Sequence, residues 1–285
     1  MVICVYLLII LATVTQSAST KLFNRTSEPS CVFNAIKAGS AFLILALVAV
    51  WGFSFNWQTL LYGTLYGASL SLSMYAGYRA LCCGPMALTS MLVSFSVVIP
   101  LIWGITVCNE RLTAMQYPAL VLLFLAIILT NLDKFKTKRE TKSNYALWLT
   151  FVGLTFICNG LGSILQKQHQ VLYPNLYSRE FMVFAMLFCT LVYSISLIVK
   201  IPLRELKSIK GKKYGVFSGI TTAIASFLTL VLAGMENASV LFPLISAGTI
   251  LASLFCGKLL FKEKLKLNHY FALLTGITAA ILFKL

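Results

Sequence analysis

The stretch Glu110-Arg111-Leu112, followed by Tyr117, Ala119 and Leu120, returns 153 residues later as Glu263-Lys264-Leu265, followed by Tyr270, Ala272 and Leu273. Each copy closes a series of five apolar stretches. Internal duplication of membrane spans is the mark of secondary transporters, because two similar halves facing each other make a site near the bilayer midplane that can open to either side. The repeat thus implies a chain of two related helical halves.

Composition agrees with a membrane setting. Of 285 residues 59% are hydrophobic and 11% charged, with a mean hydropathy of +0.88. A soluble domain carries about 25% charged residues, so this chain is an integral membrane protein that crosses the bilayer many times. A helical span needs about 20 apolar residues to cross about 30 Å of hydrocarbon. Windows of that length give ten spans, at 2–20, 34–52, 58–81, 86–108, 113–132, 145–168, 180–200, 214–234, 238–260 and 268–285. In lipid each must be a helix, since unpaired backbone groups have no water to turn to. The short alternating strands of an outer-membrane barrel are absent from the sequence.

The net charge of +15 does not indicate nucleic acid, because the basic residues lie in short gaps between apolar spans rather than in a polar domain. With ten spans the gaps sort onto two faces. The odd-numbered connections hold Lys21, Arg25, Lys37, Arg79, the run Lys134, Lys136, Lys138, Arg139, Lys142, the run Lys200, Arg204, Lys207, Lys210, Lys212, Lys213, and Lys258, Lys262, Lys264, Lys266. The other face has Arg111, Lys167, Arg179 and Lys284, a bias of nineteen against four. Positive residues are retained on the cytoplasmic side, which puts both termini outside the cytoplasm. Residues 1–19 also resemble a secretory signal, but no basic region precedes the apolar core and the segment has a counterpart in the second half, so it is expected to stay as the first span.

The hydrophilic run Lys134 to Lys142 separates the halves. The chain therefore divides into a first five-helix repeat at 1–132, a basic linker at 133–143 and a second five-helix repeat at 144–285. The third span contains Tyr62, Gly63, Gly67 and the eighth Tyr214, Gly215, Gly219, at the same spacing. Small residues so placed let helices approach closely in lipid. Gly104 and Gly257 stand six residues before Glu110 and Glu263, and Ser17, Lys21 match Ser163, Lys167. Because each copy has an odd number of spans, the second enters the membrane from the opposite side. The fold class is an all-α integral membrane protein with ten transmembrane helices as two inverted five-helix repeats.

Two sets of five spans, with the fourth and ninth ending in Glu110-Arg111-Leu112 and Glu263-Lys264-Leu265 and each followed by an apolar span holding Leu120 or Leu273, resemble the drug/metabolite transporter superfamily, specifically its EamA-type members. The resemblance covers essentially the whole chain. It implies a basket of helices around a central cavity lined mostly by the first, third, fourth, sixth, eighth and ninth spans, with the fifth and tenth supporting the bundle and offering homodimer contacts. Relatives move amino acids, nucleotide sugars, other small metabolites or drugs. Such relatives usually keep both termini cytoplasmic, whereas the charge bias here says the reverse.

A solute that sheds water in a cavity must be met by polar side chains, so polar groups in mid-span are the candidate cavity lining. The first span offers Thr13, Gln16 and Ser17, the third Ser73, Tyr75 and Arg79, the sixth Asn159, Ser163 and Gln166, and the eighth Thr222 and Ser226. Hydroxyls in such helices commonly bond back to their own backbone instead. The carboxamides are the stronger candidates, because an unpartnered amide in hydrocarbon is costly. Lys21, Lys37, Arg79 and Lys167 sit near the ends of the spans, where a long stem can carry the cation to the headgroups. One that pointed inward would favour a carboxylate or phosphate on the solute.

Acids are few and none is central in a span; a proton-coupled multidrug exporter of the small type needs a carboxylate in its first helix, and this first helix has none. Glu110 and Glu263, beside Arg111 and Lys264 at matching ends of the fourth and ninth spans, are read as end-of-helix ion pairs that hold the turn, the alternative being a pair of gate charges. Pro100 and Pro243 are expected to kink the fourth and ninth spans. Eight scattered cysteines lack metal-site spacing, so no metal and no cofactor are expected. Asn24-Arg-Thr26 and Asn237-Ala-Ser239 fit the glycosylation pattern but fall on opposite faces, so both cannot be used. No Gly-rich phosphate loop, H-E-x-x-H or nucleophile elbow occurs, which argues against an enzyme or an ATP-driven pump.

The expected function is transport of a small organic metabolite, an amino acid, nucleotide sugar or similar, by alternating access, in the plasma membrane. The alternative is a non-transporting scaffold or accessory subunit. With the native cysteines replaced, Lys138→Cys is expected to resist an impermeant thiol reagent in intact cells and Arg111→Cys to react with it. The opposite pattern would place the termini in the cytoplasm.

Overall fold

The structure is a computed structural model that describes residues 2–24, 26, 28–83, 89, 92–135, 145–200, 210–261 and 266–283. Among the described residues every regular element is helical. They are α1 (Val2–Asn24), α2 (Ser30–Ala49), α3 (Trp57–Cys83), α4 (Val98–Thr106, entered through a 3-10 turn at Phe95–Val97), α5 (Gln116–Phe135), α6 (Tyr145–Leu172), α7 (Ser178–Lys200), α8 (Lys212–Ala233), α9 (Ala238–Phe261) and α10 (Leu267–Leu282). Six of these, α1, α2, α6, α7, α8 and α9, are long and apolar enough to cross a membrane. The chain is a helical integral membrane protein. Leu92–Thr106, Gln116–Thr130 and Leu267–Leu282 are apolar but shorter. α3 has the length, 27 residues, but carries Thr64, Ser69, Ser71, Ser73 and Arg79.

Local chemistry explains two features of these helices. The hydroxyls of Thr13, Ser17, Thr64, Thr150, Thr155, Thr190 and Thr229 donate to the carbonyl four residues back, which satisfies a polar group without help from another helix. Pro100 lies in the first turn of α4, immediately after the 3-10 turn, where its missing N–H is tolerated. The interruption expected in the fourth span is this change of helix type inside the continuous helical run Leu92–Thr106. Pro243 is inside α9.

The chain forms two compact units, each drawing on both halves of the sequence. Unit 1 is Met1–Ser71 with Leu165–Met235, and unit 2 is Leu72–Ile164 with Glu236–Leu285.

In unit 1, α1 lies along α8, and α2 packs on both α7 and α8. Its core joins Ala41, Leu45 and Ala49 of α2, Tyr66 of α3, Phe181, Met182, Ala185 and Met186 of α7, and Ala223 and Leu230 of α8. The matched glycines do matched work. A Cβ on Gly63 would lie 2.8 Å from the Phe181 carbonyl oxygen and one on Gly67 2.5 Å from that of Ala185, so α3 rests on the backbone of α7. A Cβ on Gly215 would lie 2.8 Å from Ile36 Cγ2 and one on Gly219 2.5 Å from the Lys37 carbonyl oxygen, so α8 rests on α2. In lipid, where apolar burial gives little drive, such close van der Waals contact is what holds helices together.

The connections of unit 1 gather at two ends. The Ser54 amide donates to Glu180 at the start of α7 (3.0 Å), and Arg179 donates to the Trp51 carbonyl (2.9 Å). Elsewhere the Lys210 amide donates to Glu28 (3.0 Å), tying the turn before α8 to the one before α2.

In unit 2, α5 packs on α10 and α9 packs on α4, α5 and α10. Ala119, Leu120, Ala272 and Leu273, all from the repeated motif, are buried. Asn268 donates to the Leu129 carbonyl (3.0 Å), fastening the start of α10 to α5. A second cluster joins Ala80, Trp148 and Val152, with the Trp148 indole donating to Thr89 (2.8 Å).

Gly219→Ala is expected to lower stability by about 1–3 kcal/mol through overpacking against α2. Gly153→Ala, which meets nothing within 4 Å, is expected to be neutral or stabilising. Melting curves of the detergent-purified proteins compare the two.

Candidate functional site

The close approach of α3 and α7 at Gly67 builds a polar track inside unit 1. Ser71 Oγ donates to Cys189 Sγ (3.3 Å), Cys189 Sγ donates to the Gly67 carbonyl (3.3 Å), and the Tyr193 hydroxyl donates to the Ser71 carbonyl (3.2 Å). Tyr66 of α3 lies beside the Ser226 hydroxyl of α8. Lys37 of α2 is buried, 6% exposed, and its ammonium lies within electrostatic range of the Cys189 thiol. The reading of Lys37 as a headgroup-seeking residue at a helix end is corrected here. α2 begins at Ser30 rather than 34, behind Pro29, so Lys37 sits two turns inside the helix.

At one end of unit 1 the polar groups are mutually satisfied. Thr59 Oγ1 and His169 Nε2 are 3.1 Å apart, and Gln170 Nε2 is 3.2 Å from His169 Nδ1 and donates to Ser178 (3.0 Å). The His169 ring packs between Tyr62, Tyr173 and Phe181. Gln170 Oε1 accepts the Asn175 amide (3.0 Å), and Tyr173 donates to Gln58. Lys167, also expected near the headgroups, is buried and donates to the Ala233 carbonyl (3.1 Å). Ala233 is the last residue of α8, so Lys167 places a cation on the negative end of that helix. Beside it Gln166 is buried at 4% exposure, and its carboxamide has no hydrogen-bond partner among the described residues.

In unit 2, α3 and α6 meet at Gly77, whose Cβ would stand 3.4 Å from Thr155 Cγ2. Ser73 donates to Asn159 Oδ1 (2.5 Å), and Ser163 donates to the Asn159 carbonyl (3.3 Å). Farther along, Tyr75 meets the Phe151 ring edge-on with centroids 6.5 Å apart. The Arg79 guanidinium sits 5.6 Å from the centre of the same ring. An exposed guanidinium at that distance from an aromatic face gains a cation–π attraction. The structure therefore pairs Ser73 with Asn159 and sets Tyr75 and Arg79 on Phe151, about two turns away along α6.

The remaining candidates are more dispersed. Thr13 and Ser17 of α1 bond back to Ile9 and Thr13 carbonyls at 3.0 Å, and Gln16 is half-buried. Thr222 of α8 bonds back to Ser218 (2.6 Å). These hydroxyls spend their protons on their own helices.

Glu110 has a role that spacing alone did not suggest. Its carboxylate accepts the amides of Ala238 and Ser239, each at 2.8 Å, and so caps the start of α9. Gly104 makes the room, because a Cβ there would lie 2.5 Å from Glu110 Oε2. A carboxylate on free amides at a helix start gains from both hydrogen bonds and the helix dipole. This cap across elements is a role beyond the ion pair with Arg111 that the sequence suggested. Glu263 lies outside the described residues. Asn237 is exposed and its carbonyl accepts from Val240 and Leu241, while Ser239 is fully buried in the same first turn.

No protein-family model matches the chain, and no curated protein matches it. Solved structures do: a crystal structure of another protein superposes with a TM-score of 0.79, covering 98% of this chain and 94% of that one, at 12% identity. At that identity the likeness shows the fold alone. Fold and interior together define an all-helical integral membrane protein with polar side chains set inside its units.

Glu110→Ala is expected to lower stability by about 1–3 kcal/mol by stranding the amides of α9. Glu110→Gln, which keeps one acceptor oxygen, is expected to cost less. Melting of the purified variants, with hydrogen exchange at 238 and 239, reads the difference.

Proposed function

We propose that the protein is a carrier of the EamA type within the drug/metabolite transporter superfamily, moving a small organic metabolite across the plasma membrane by alternating access. In this reading the helices form ten spans in two inverted five-helix repeats. The observation that carries it is the reciprocal glycine packing in unit 1. The third helix of the first repeat lies on the second helix of the second, through Gly63 and Gly67, and the third helix of the second repeat lies on the second helix of the first, through Gly215 and Gly219. A twofold relation between the repeats produces such an exchange, and inverted repeats are the usual architecture of secondary transporters.

Two further features support the reading. Polar groups occur in mid-helix where a purely structural bundle would carry apolar ones, among them the Ser73–Asn159 bond and the unpartnered Gln166. Each compact unit also takes segments from both sequence repeats, unit 1 from Met1–Ser71 and Leu165–Met235 and unit 2 from Leu72–Ile164 and Glu236–Leu285, as two interwoven repeats would. A homodimer through α5 and α10 belongs to the same proposal. Those helices pack on each other in unit 2 and leave Val121, Leu125, Leu274 and Ile281 exposed. The protein transports without catalysing a reaction.

Purified protein in liposomes is expected to exchange a labelled solute from a panel of amino acids, nucleotide sugars and organic anions. Asn159→Ala is expected to cut the initial rate by at least about 10-fold, equivalent to about 1.4 kcal/mol, while melting within a few degrees of the parent. A folded protein that moves none of the panel would overturn the carrier reading and leave the scaffold in its place.

A further inference from the structure

Lys37 is a cation without an anion. It lies about 10 Å along α2 from its start at about 1.5 Å per residue, and α8 is pressed against its own carbonyl at Gly219. With 6% of its surface exposed, the residue is enclosed rather than stretched along the outside of the bundle. No acceptor among the described residues stands within hydrogen-bonding distance of its ammonium. Nor is that nitrogen sealed: the fully enclosed, unbonded side-chain atoms include Ser218 Oγ and Ser239 Oγ, but not Lys37 Nζ. It therefore touches accessible space.

The groups around it cannot supply the missing charge. The Cys189 thiol gives its proton to the Gly67 carbonyl, Ser71 gives its own to Cys189, and Tyr193 donates to the Ser71 carbonyl. The track is thus a set of neutral dipoles whose donors point away into α3 and α7. The acids described in unit 1 are engaged elsewhere, Glu28 by the Lys210 amide and Glu180 by Ser54. An ammonium taken out of water without a counter-charge is strongly disfavoured unless something mobile supplies one.

We propose that Lys37 recognises the charged end of an organic oxyanion, a carboxylate or a phosphate ester, which enters unit 1 and completes this site. The inference rests on the carrier reading for its claim that the anion is also cargo, but binding can be tested without transport. An oxyanion offers lone pairs to the three N–H bonds of Lys37, and the Cys189 thiol beside it is uncharged and gives its proton to Gly67.

The test is thermal melting of the full-length detergent-purified protein with malate, glycerol 3-phosphate, inorganic phosphate, lactamide and glycerol. At about 100 times Kd a bound anion is expected to raise the midpoint by about 5 °C, with lactamide and glycerol inert. A response to malate alone assigns a carboxylate, and one to glycerol 3-phosphate with or without inorganic phosphate assigns a phosphate ester. Lys37→Met and Lys37→Gln are expected to abolish the response, while Lys258→Met, at an exposed position, keeps it. Without ligand, Lys37→Met is expected to melt at or above the parent temperature, because an unpaired charge has been removed. The proposal is overturned if the shift survives in both Lys37 variants, if only uncharged solutes stabilise the parent, or if unliganded Lys37→Met melts well below it. Counterflow separates the two claims: an uncharged solute carried equally well by Lys37→Met sinks the anion site and leaves the carrier standing.

Discussion

The interior of unit 1 depends on backbone meeting backbone. Where Gly67 of α3 rests on the Ala185 carbonyl and Gly219 of α8 rests on the Lys37 carbonyl, there is no room for even a methyl group. In a bilayer the lipid chains are as apolar as leucine, so helices are held by closeness rather than by exclusion from water. That closeness has a second effect. It brings the Ser71 hydroxyl within reach of the Cys189 thiol, and the Cys189 thiol and Tyr193 phenol within reach of carbonyls of α3, so that these polar groups are satisfied inside the bundle.

The polar groups so gathered behave in two distinct ways. Some terminate helices: Glu110 takes the free amides of α9, and Lys167 takes the free carbonyl at the end of α8. These charges lie against helix ends of opposite sign, which is where a dipole stabilises them. Others are left with capacity to spare, Lys37 and Gln166 above all. In a medium of low dielectric an unpaired group is expensive, which is the cost that the proposed anion at Lys37 would offset. The contrast between Lys167 and Lys37 is instructive, since both looked like residues at the ends of spans.

Much of the fold was legible from pattern. Windows of apolar residues placed helices close to where they occur, and the duplicated Tyr-Gly-x-x-x-Gly spacing marked the two close contacts of unit 1. The pairing of Ser73 with Asn159 was within reach, as both are polar residues in mid-span. Less legible were helix starts. Residues 30–33 are apolar enough to extend α2 behind Pro29, and that single extra turn moves Lys37 from the rim to the inside. The capping role of Glu110 was hidden because its acceptor atoms serve amides 128 and 129 residues away.

Sequence by itself determined that this protein is helical and lives in a membrane, because apolar length and the scarcity of charge leave the backbone no other way to satisfy itself in lipid. It also determined where helices could touch, through the absence of side chains at four glycines. Tertiary structure alone decided which helix each glycine met, which hydroxyls turned back on their own turns, and which lysine closed a helix while another was left without an acceptor among the described residues. The reason is that hydrogen-bond partners in a bundle are chosen by distance in three dimensions, and that distance is not written in the spacing of residues along the chain.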